Sequence, residues 1–202
     1  MIVVGLTGSI AMGKTETARI LTELGIPVFD SDAEVHALYG PGGAAVTLLR
    51  DLIPAAVKNG GIDRQVLSAE LAKFPQQLDQ IEAIVHPLIR KRQEIFLTDC
   101  LARGADIAVL DIPLLFETNQ QNRFDYVIVV SAPPQVQRRR ALLRPGMTPE
   151  KLNFILARQI PDSQKRQMAD YIVDTSTGFD DARRQIETII ATIRAKAKEP
   201  QP

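Results

Sequence analysis

A phosphate-binding pattern lies close to the start of the chain. Residues 5–16 are GLTGSIAMGKTE, in which four residues separate Gly8 from Gly13 and Gly13 is followed by Lys14 and Thr15. A glycine-rich turn lets successive backbone N–H groups point at an anion, and the following helix adds the positive end of its dipole. We expect Lys14 to reach the β- and γ-phosphates of a nucleotide and the Thr15 hydroxyl to bind Mg²⁺.

The residues around this pattern favour a nucleotide site over an ordinary strand–helix turn. The apolar run IVVGLT (2–7) precedes it, and an amphipathic helical pattern that stops at Gly25 follows it. Strand, glycine-rich turn and helix, in that order, are what phosphate binding requires. The residues that we expect to contact the nucleotide are Ala11, Met12, Gly13, Lys14, Thr15 and Glu16.

Five short apolar runs rich in β-branched residues predict the strands that position this loop. They are residues 2–7, 26–30, 106–112, 125–131 and 170–175. The runs are nearly continuous rather than alternating, which is typical of strands buried on both faces of a parallel sheet covered by helices. The sequence therefore predicts an α/β fold with three layers and a five-stranded parallel sheet.

Two stretches interrupt the alternation of strand and helix. Residues 33–104 carry no strand pattern and predict several helices, broken at 40–43, 59–61, Pro75 and Pro87. We interpret them as an inserted helical subdomain. Residues 137–167 are helical and contain many arginines, and we interpret them as a lid. The nucleotide-binding core then consists of 1–32, 105–136 and 168–202.

Acidic residues follow two of the predicted strands. Asp30 and Asp32 end the second strand and Asp111 ends the third. Ligands of open parallel sheets lie at the carboxyl ends of the strands, so these carboxylates should face the γ-phosphate. Asp111 could hold Mg²⁺ or its water, or cap the strand–loop junction. Ser31 or Asp32 could instead cap the following helix.

A carboxylate beside the γ-phosphate has a specific use when the phosphoryl acceptor is an alcohol. An alcohol must lose a proton, which an aspartate can accept as a general base, whereas an acceptor that is already a phosphate anion needs no base. This favours a kinase acting on an alcohol, with an aspartate after the second strand as the base. Such an aspartate can also bind magnesium or its waters.

The arginine-rich stretch offers cations for a transferring phosphoryl group. Guanidinium groups stabilise its charge, and a closing lid excludes water. Helical spacing predicts that Arg140 and Arg144 share one face. The alternative is a solvated basic helix face. The arginines are Arg138, Arg139, Arg140, Arg144 and Arg158.

Composition narrows the classes of function. The 202 residues carry 24 Lys and Arg against 24 Asp and Glu, so no global charge favours nucleic acid or a membrane surface. The single Cys100 is expected in the core, no Cys/His cluster indicates zinc, and no apolar run could span a membrane. His86, before Pro87, is expected beside a helix start. We expect a cytoplasmic protein and a monomer.

The chain resembles the dephospho-CoA kinase family over about residues 3–178. The shared motifs include HP inside a helical insert, DIPLLFE, and Gln-x-x-Arg-x-x-x-Arg. In chain order the matching segments are GLTGSIAMGKT, VFDSDAEVH, IDRQVL, IEAIVHPLI, VLDIPLLFE, VQRRRALLR, RQI and ADYIV.

The resemblance implies a P-loop kinase that uses ATP and Mg²⁺ to phosphorylate the ribose 3′-hydroxyl of dephospho-CoA, the last step of coenzyme A synthesis. It implies Lys14, Asp32 and Arg140 as catalytic residues, with Arg144 as a second lid arginine at the nucleotide. Thr15 and Asp111 are the expected metal ligands. The residues expected near the acceptor, besides Asp32, are Arg64, His86, Leu115, Phe116 and Glu117.

The chain departs from the family pattern at two places. Ser9 and Ala11 stand where the family often has glycine, and both are small enough to leave the loop intact. Thr175 and Ser176 stand where the family often has Asn and Gly near the adenine.

Two other functions compete: another P-loop small-molecule kinase, for a nucleoside monophosphate or shikimate, and a nucleotide-binding switch. An Asn-Lys-x-Asp base-reading motif, expected of a GTPase switch, is missing from the sequence.

Overall fold

The structure is a computed structural model that describes residues 1–197, so the last five residues of the predicted core segment 168–202 lie outside the described part. Seven strands occur there. They are β1 (Ile2–Thr7), β2 (Val28–Asp30), β3 (Val57–Lys58), β4 (Gly61–Ile62), β5 (Ile107–Asp111), β6 (Tyr126–Ser131) and β7 (Tyr171–Asp174).

Nine α-helices lie between and after the strands of this described part. They are α1 (Lys14–Glu23), α2 (Ser31–Tyr39), α3 (Ala44–Arg50), α4 (Arg64–Lys73), α5 (Gln77–Ala102), α6 (Pro134–Leu142), α7 (Pro149–Leu156), α8 (Asp162–Met168) and α9 (Phe179–Lys196). Within residues 1–197, no helix is both long and apolar enough to cross a membrane.

The predicted five-stranded parallel sheet is confirmed. Its strand order is β2-β5-β1-β6-β7, so β1 lies in the middle, paired in parallel with β5 and β6. All five predicted runs contain a strand. The central strands are almost wholly buried because helices cover both faces of a parallel sheet.

Helices α1 and α9 contribute apolar faces to the core of this sheet. In α9, Ile186, Ile190 and Ile193 lie three or four residues apart and are at most 3% exposed, so they form one buried face. Asp180 and Asp181 occupy the first turn of α9, where negative charge interacts favourably with the positive end of the helix dipole. Cys100 is buried, as expected.

The chain divides into two compact units. The first consists of Met1–Phe29 and the described residues from Cys100 onward, and it contains the five-stranded sheet. The second consists of Asp30–Asp99 and has its own apolar core. Residues of α2, α3, α4 and α5 build that core, with Leu49 and Ala45 fully buried.

The expectation that residues 33–104 contain no strand was wrong at one place. Strands β3 and β4 form a short antiparallel hairpin. The two residues between them, Asn59 and Gly60, have φ angles of 50° and 77°. A two-residue turn with positive φ at both positions matches the twist of a hairpin, and Asn-Gly is the pair that adopts it most readily.

The expectation that Pro87 breaks a helix was also wrong. Helix α5 is 26 residues long and continues through Pro87. A proline removes one backbone hydrogen bond and costs about 3 kcal/mol in a helix interior. Apolar residues on both sides of it, Ile81 and Val85 before and Leu88 and Ile89 after, pack into the core of the second unit. This packing favours a continuous helix.

Candidate active site

The glycine-rich loop, residues 8–13, joins β1 to α1 and needs unusual backbone angles. Gly13, at the start of α1, has a φ angle of 101°, and a Cβ added there would lie 3.0 Å from the Thr175 side chain. A Cβ added to Gly8 would lie 2.6 Å from the Val130 carbonyl oxygen. Ala11 also has a positive φ of 61°. The alanine therefore occupies a conformation that favours glycine, consistent with the family's frequent glycine there.

Lys14 and Asp111 lie together at the carboxyl edge of the sheet. Lys14 begins α1, which follows β1, and Asp111 ends β5, the strand beside β1, where it is level with Leu6. The Lys14 Nζ donates to Asp111 Oδ1 at 2.6 Å. Asp111 is 3% exposed, and a buried carboxylate of this kind requires a cation beside it.

The other predicted nucleotide contacts follow along the loop and the first turn of α1. Thr15 is exposed, and the Glu16 carboxylate accepts from the Arg19 guanidinium at 2.8 Å. The Met12 N–H donates to the Ser9 carbonyl at 3.2 Å, and the Met12 Sδ accepts from the Ala132 N–H at 3.2 Å. Their contacts with a nucleotide stay predictions.

Two glutamines from distant parts of the chain bind the main chain of Ile10. Gln137, on α6 and only 7% exposed, donates from Nε2 to the Ile10 carbonyl at 2.9 Å. Gln159, just after α7, accepts the Ile10 N–H at 3.1 Å on its Oε1. Both polar groups of Ile10 are thus held by side chains.

A second connection reaches the loop through Thr175, directly after β7. The Thr175 hydroxyl donates to the Met12 carbonyl at 2.7 Å. Arg140 donates to the same hydroxyl at 2.8 Å and to the Thr175 carbonyl at 2.7 Å. Arg140 therefore bonds to Thr175 through both terminal nitrogens, which orders the residue that holds Met12.

The prediction that Arg140 and Arg144 share a helix face was wrong. Helix α6 ends at Leu142, and Arg144 is an exposed residue of the turn that follows. Proline at position 145 disfavours the helical conformation of the residue before it, so the helix cannot carry Arg144. The helical spacing that links the two arginines in the sequence does not exist in the fold.

The segment predicted to be a lid packs on the glycine-rich loop. Ala141 and Leu152 are fully buried and form a small apolar cluster with Ala11. Met147 and Leu156 pack against this cluster. Helices α6 and α7 therefore contact the loop through apolar side chains as well as through Gln137.

The loop after β5 is anchored by internal contacts. Leu115 and Phe116 are buried in the interior. The Glu117 carboxylate accepts from the Ile160 N–H at 3.0 Å and lies 2.7 Å from Nζ of Lys165, which is fully buried. These contacts tie the loop to the segment around α8. The contact of Leu115, Phe116 and Glu117 with an acceptor stays a prediction.

In the second unit, the structure identifies the helix cap. Asp30 accepts the Ala33 N–H at 3.0 Å and is the N-cap of α2. The alternative that Ser31 or Asp32 caps this helix is therefore wrong. Asp32 is an exposed residue in the first turn of α2, so capping does not account for it.

Arg64 lines a cavity of about 430 Å³ in the second unit. Arg64 lies at the start of α4, with its Nη1 at 3.5 Å from the His36 Nδ1. The cavity lining includes Lys58, Asp63, Tyr39 and His36. It therefore presents cationic side chains beside an apolar wall.

Two groups of the cavity have shifted pKa values. Hydrogen bonds from the Val66 N–H and Lys58 lower the pKa of the Asp63 carboxyl, which caps α4 by accepting the Gln65 and Val66 N–H groups. Burial raises the pKa of the Tyr39 phenol, partly offset by the nearby Arg64. Asp63 is therefore an anion and Tyr39 a neutral hydroxyl at neutral pH.

The structure corrects the expected position of His86. It is exposed in the interior of α5 rather than beside a helix start, because the helix continues through Pro87. Its contact with an acceptor stays a prediction.

The described residues contain no large cluster of potential metal ligands. Across positions 1–197, no group of three or more His, Cys, Asp or Glu side chains could hold a metal ion. Mg²⁺ at phosphate-transfer sites takes few protein ligands and completes its shell with water and phosphate oxygens. One carboxylate and one hydroxyl, Asp111 and Thr15, fit that chemistry.

Sequence reasoning missed the contacts that Gln137 and Gln159 make with the glycine-rich loop. Both lie in segments that match the family, VQRRRALLR and RQI, yet a glutamine by itself does not indicate a particular chemistry. The available signal was spacing: Gln137 and Arg140 are three residues apart and therefore lie on one face of α6. Thr175 was noted only as a departure near the adenine.

Comparisons with known proteins agree with the resemblance. The dephospho-CoA kinase family profile matches residues 2–181. The dephospho-CoA kinase of Rhodopseudomonas palustris is 48% identical over 201 residues, 100% of this chain and 98% of that protein. That of Brucella melitensis biotype 1 is 49% identical over 196 residues, covering 97% of each chain.

Solved structures share the fold. TT1252 from Thermus thermophilus aligns with a TM-score of 0.80 and 32% identity, covering 95% of this chain and 97% of that one. A dephospho-CoA kinase from Campylobacter jejuni aligns with a TM-score of 0.71 and 23% identity, covering 95% and 96%. A shikimate kinase from Acinetobacter baumannii shares the fold at a TM-score of 0.51 and 20% identity, covering 98% and 96%. The chain belongs to the dephospho-CoA kinase family.

Proposed function

We propose that the protein transfers the γ-phosphoryl group of ATP to the ribose 3′-hydroxyl of dephospho-CoA and so makes coenzyme A, the final step of its synthesis. The observation that carries this proposal is the family match over residues 2–181, nearly the whole chain, with the glycine-rich loop and Lys14 in place. Another P-loop small-molecule kinase or a nucleotide switch is not favoured by these comparisons.

The glycine-rich loop and Lys14 hold the phosphates of ATP. The positive φ of Gly13 turns the backbone into a concave arrangement of N–H groups, and the N-terminus of α1 adds its dipole. Lys14 exchanges part of its contact with Asp111 for the β- and γ-phosphates. Thr15 and Asp111 would hold Mg²⁺, which neutralises charge on the phosphates when bound.

In the transfer step, the ribose 3′-oxygen forms a bond to the γ-phosphorus and the bond to the β,γ-bridging oxygen breaks. Asp32 accepts the proton of the 3′-hydroxyl, and ADP leaves with the electron pair of the broken bond. The exposed carboxylate of Asp32 is not used as a helix cap, which supports this role. Binding a magnesium water is its alternative use.

The arginines of the segment 137–167 act on the charge of the phosphates. Arg140 stabilises the transferring phosphoryl group, which requires it to release part of its contact with Thr175. Arg144, exposed beyond the end of α6, reaches the nucleotide when the segment closes as a lid.

The residues 33–104 form the substrate domain. Dephospho-CoA carries a pyrophosphate, and the cavity that contains Arg64 and Lys58 offers two cations for such an anion. His86, Leu115, Phe116 and Glu117 complete the predicted acceptor contacts. The protein works on this small molecule as a cytoplasmic monomer.

The test is ATP turnover with identification of the product by mass. Dephospho-CoA, adenosine monophosphate and shikimate serve as parallel acceptors. A product heavier by one phosphoryl group, formed only from dephospho-CoA, supports the proposal. Transfer to one of the other acceptors instead would keep the phosphate site and reject this acceptor.

A further inference from the structure

Two carbonyl groups of the glycine-rich loop are held by side chains from outside the loop. Gln137 donates to the Ile10 carbonyl at 2.9 Å, and Thr175 donates to the Met12 carbonyl at 2.7 Å. The two carbonyls are two residues apart. The residue between them, Ala11, has the left-handed φ of 61°.

Planarity of the peptide bond gives these contacts a consequence. The carbonyl of one residue and the N–H of the next belong to one rigid trans unit and point in opposite directions. A donor that holds the Ile10 carbonyl therefore fixes the direction of the Ala11 N–H. A donor that holds the Met12 carbonyl fixes the direction of the Gly13 N–H.

The direction of each donor is determined by its neighbours. Gln159 accepts the Ile10 N–H, and Gln137 donates to the Ile10 carbonyl, so both main-chain polar groups of Ile10 have a side-chain partner. Arg140 occupies the acceptor side of the Thr175 hydroxyl at 2.8 Å, so the hydroxyl proton is left for a carbonyl. The Met12 oxygen, at 2.7 Å, is nearer to it than the Ser131 oxygen at 3.4 Å.

The left-handed conformation at Ala11 needs support of this kind. A residue with a Cβ in that region costs of order 1 kcal/mol or more and persists only where its surroundings determine it. Gln137 lies on α6 beside the buried Ala141, which packs against Ala11. The same helix therefore supports both the side chain of Ala11 and the peptide unit before it.

We propose that Gln137 and Thr175 are positioning residues that aim the Ala11 and Gly13 N–H groups of the glycine-rich loop at the β- and γ-phosphates of ATP. The inference rests on the proposed function, because it assumes that ATP binds at this loop. Neither side chain needs to touch the nucleotide. Their loss weakens phosphate binding while the acceptor site is left as it is.

The first experiment replaces Gln137 by methionine, with Gln135→Met as the control. Methionine keeps the length and volume of glutamine but cannot donate, and Gln135 is an exposed residue of the same helix. One lost hydrogen bond predicts a Kd for ATP with Mg²⁺ about five- to tenfold higher than in the control. Equal Kd values in the two variants would overturn the role of Gln137.

The second experiment uses Thr175→Val and Thr175→Ser. Valine matches threonine in shape but has no hydroxyl, whereas serine keeps the hydroxyl and loses only the methyl group. We expect Thr175→Val to weaken ATP binding about five- to tenfold and Thr175→Ser to bind within about twofold of the original protein. If serine fails as valine does, the methyl packing and not the hydroxyl matters, and the role of Thr175 is rejected.

A comparison of ligands separates positioning from general damage. Gln137→Met and Thr175→Val should weaken the binding of ATP and ADP but leave the binding of AMP and dephospho-CoA almost unchanged. An equal loss for all four ligands would overturn the inference. If the unchanged protein itself fails to bind ATP, the proposed function fails, whereas normal ATP binding by both variants rejects only this inference.

Discussion

At the scale of single residues, the ion pair of Lys14 and Asp111 dominates the candidate site. Lys14 follows β1 through the glycine-rich loop, Asp111 ends the neighbouring strand β5, and their charged atoms lie 2.6 Å apart. The sequence predicted both residues from their positions after apolar runs. It could not predict their direct pairing, because that depends on the order of strands in the sheet, which no local pattern encodes.

Replacing Lys14 by methionine should reduce phosphoryl transfer at least about a hundredfold, because a preorganised cation on the developing charge contributes roughly that much. The change also leaves the buried Asp111 carboxylate without its cation. Lys14→Arg is the matched control, since it keeps a cation there, and it should melt closer to the original protein. Steady-state turnover and thermal unfolding measure the two effects. Near-normal turnover of Lys14→Met would contradict the phosphate-binding role.

Asp32→Asn should lower kcat by about a hundredfold or more with little change in KM, because an amide cannot accept the proton of the acceptor hydroxyl. Asp30→Asn is the control two residues away. It should keep its activity, since asparagine caps a helix as well as aspartate does. Steady-state kinetics with dephospho-CoA measures both variants. A change confined to KM in Asp32→Asn would make Asp32 a binding residue.

At the scale of elements, continuous apolar runs predicted every strand of the large sheet, because parallel strands are buried on both faces. Errors arose where local patterns compete with packing. The Asn59-Gly60 pair was interpreted as a helix break, although it is also the strongest hairpin signal. Pro87 was interpreted as a break because the apolar contacts that support α5 on both sides of it are visible only in the fold.

The cap of α4 should make stability depend on pH. The pKa of Asp63 is lower in the folded state than its ordinary value of 3.8. Its contribution is therefore fully present above that ordinary value and is lost as pH falls through the lower folded pKa. Asp63→Asn keeps a capping side chain but loses the negative charge that lies 3.1 Å from the Lys58 Nζ. It should therefore be less stable than the original protein at pH 7, and the difference should shrink between pH 4 and pH 2, as measured by urea unfolding. A difference that is constant with pH would contradict the charged cap.

At the scale of the whole molecule, the chain combines a nucleotide-binding unit built on a parallel sheet with a second unit that has its own core. The fold is shared with a shikimate kinase, so the fold by itself does not determine the acceptor. The glycine-rich loop and Lys14, which the proposed function uses to hold the phosphates, belong to the first unit, whereas Asp32 belongs to the second. The identity of the acceptor follows from family membership over residues 2–181.

The most direct test of the central claim is the position of the new phosphoryl group. The protein is incubated with ATP, Mg²⁺ and dephospho-CoA, and the product is analysed by phosphorus NMR and mass spectrometry. The account predicts a single phosphomonoester on the ribose 3′-oxygen and equal amounts of ADP and coenzyme A. ATP hydrolysis without a phosphorylated product, or a phosphoryl group on any other atom, would contradict it.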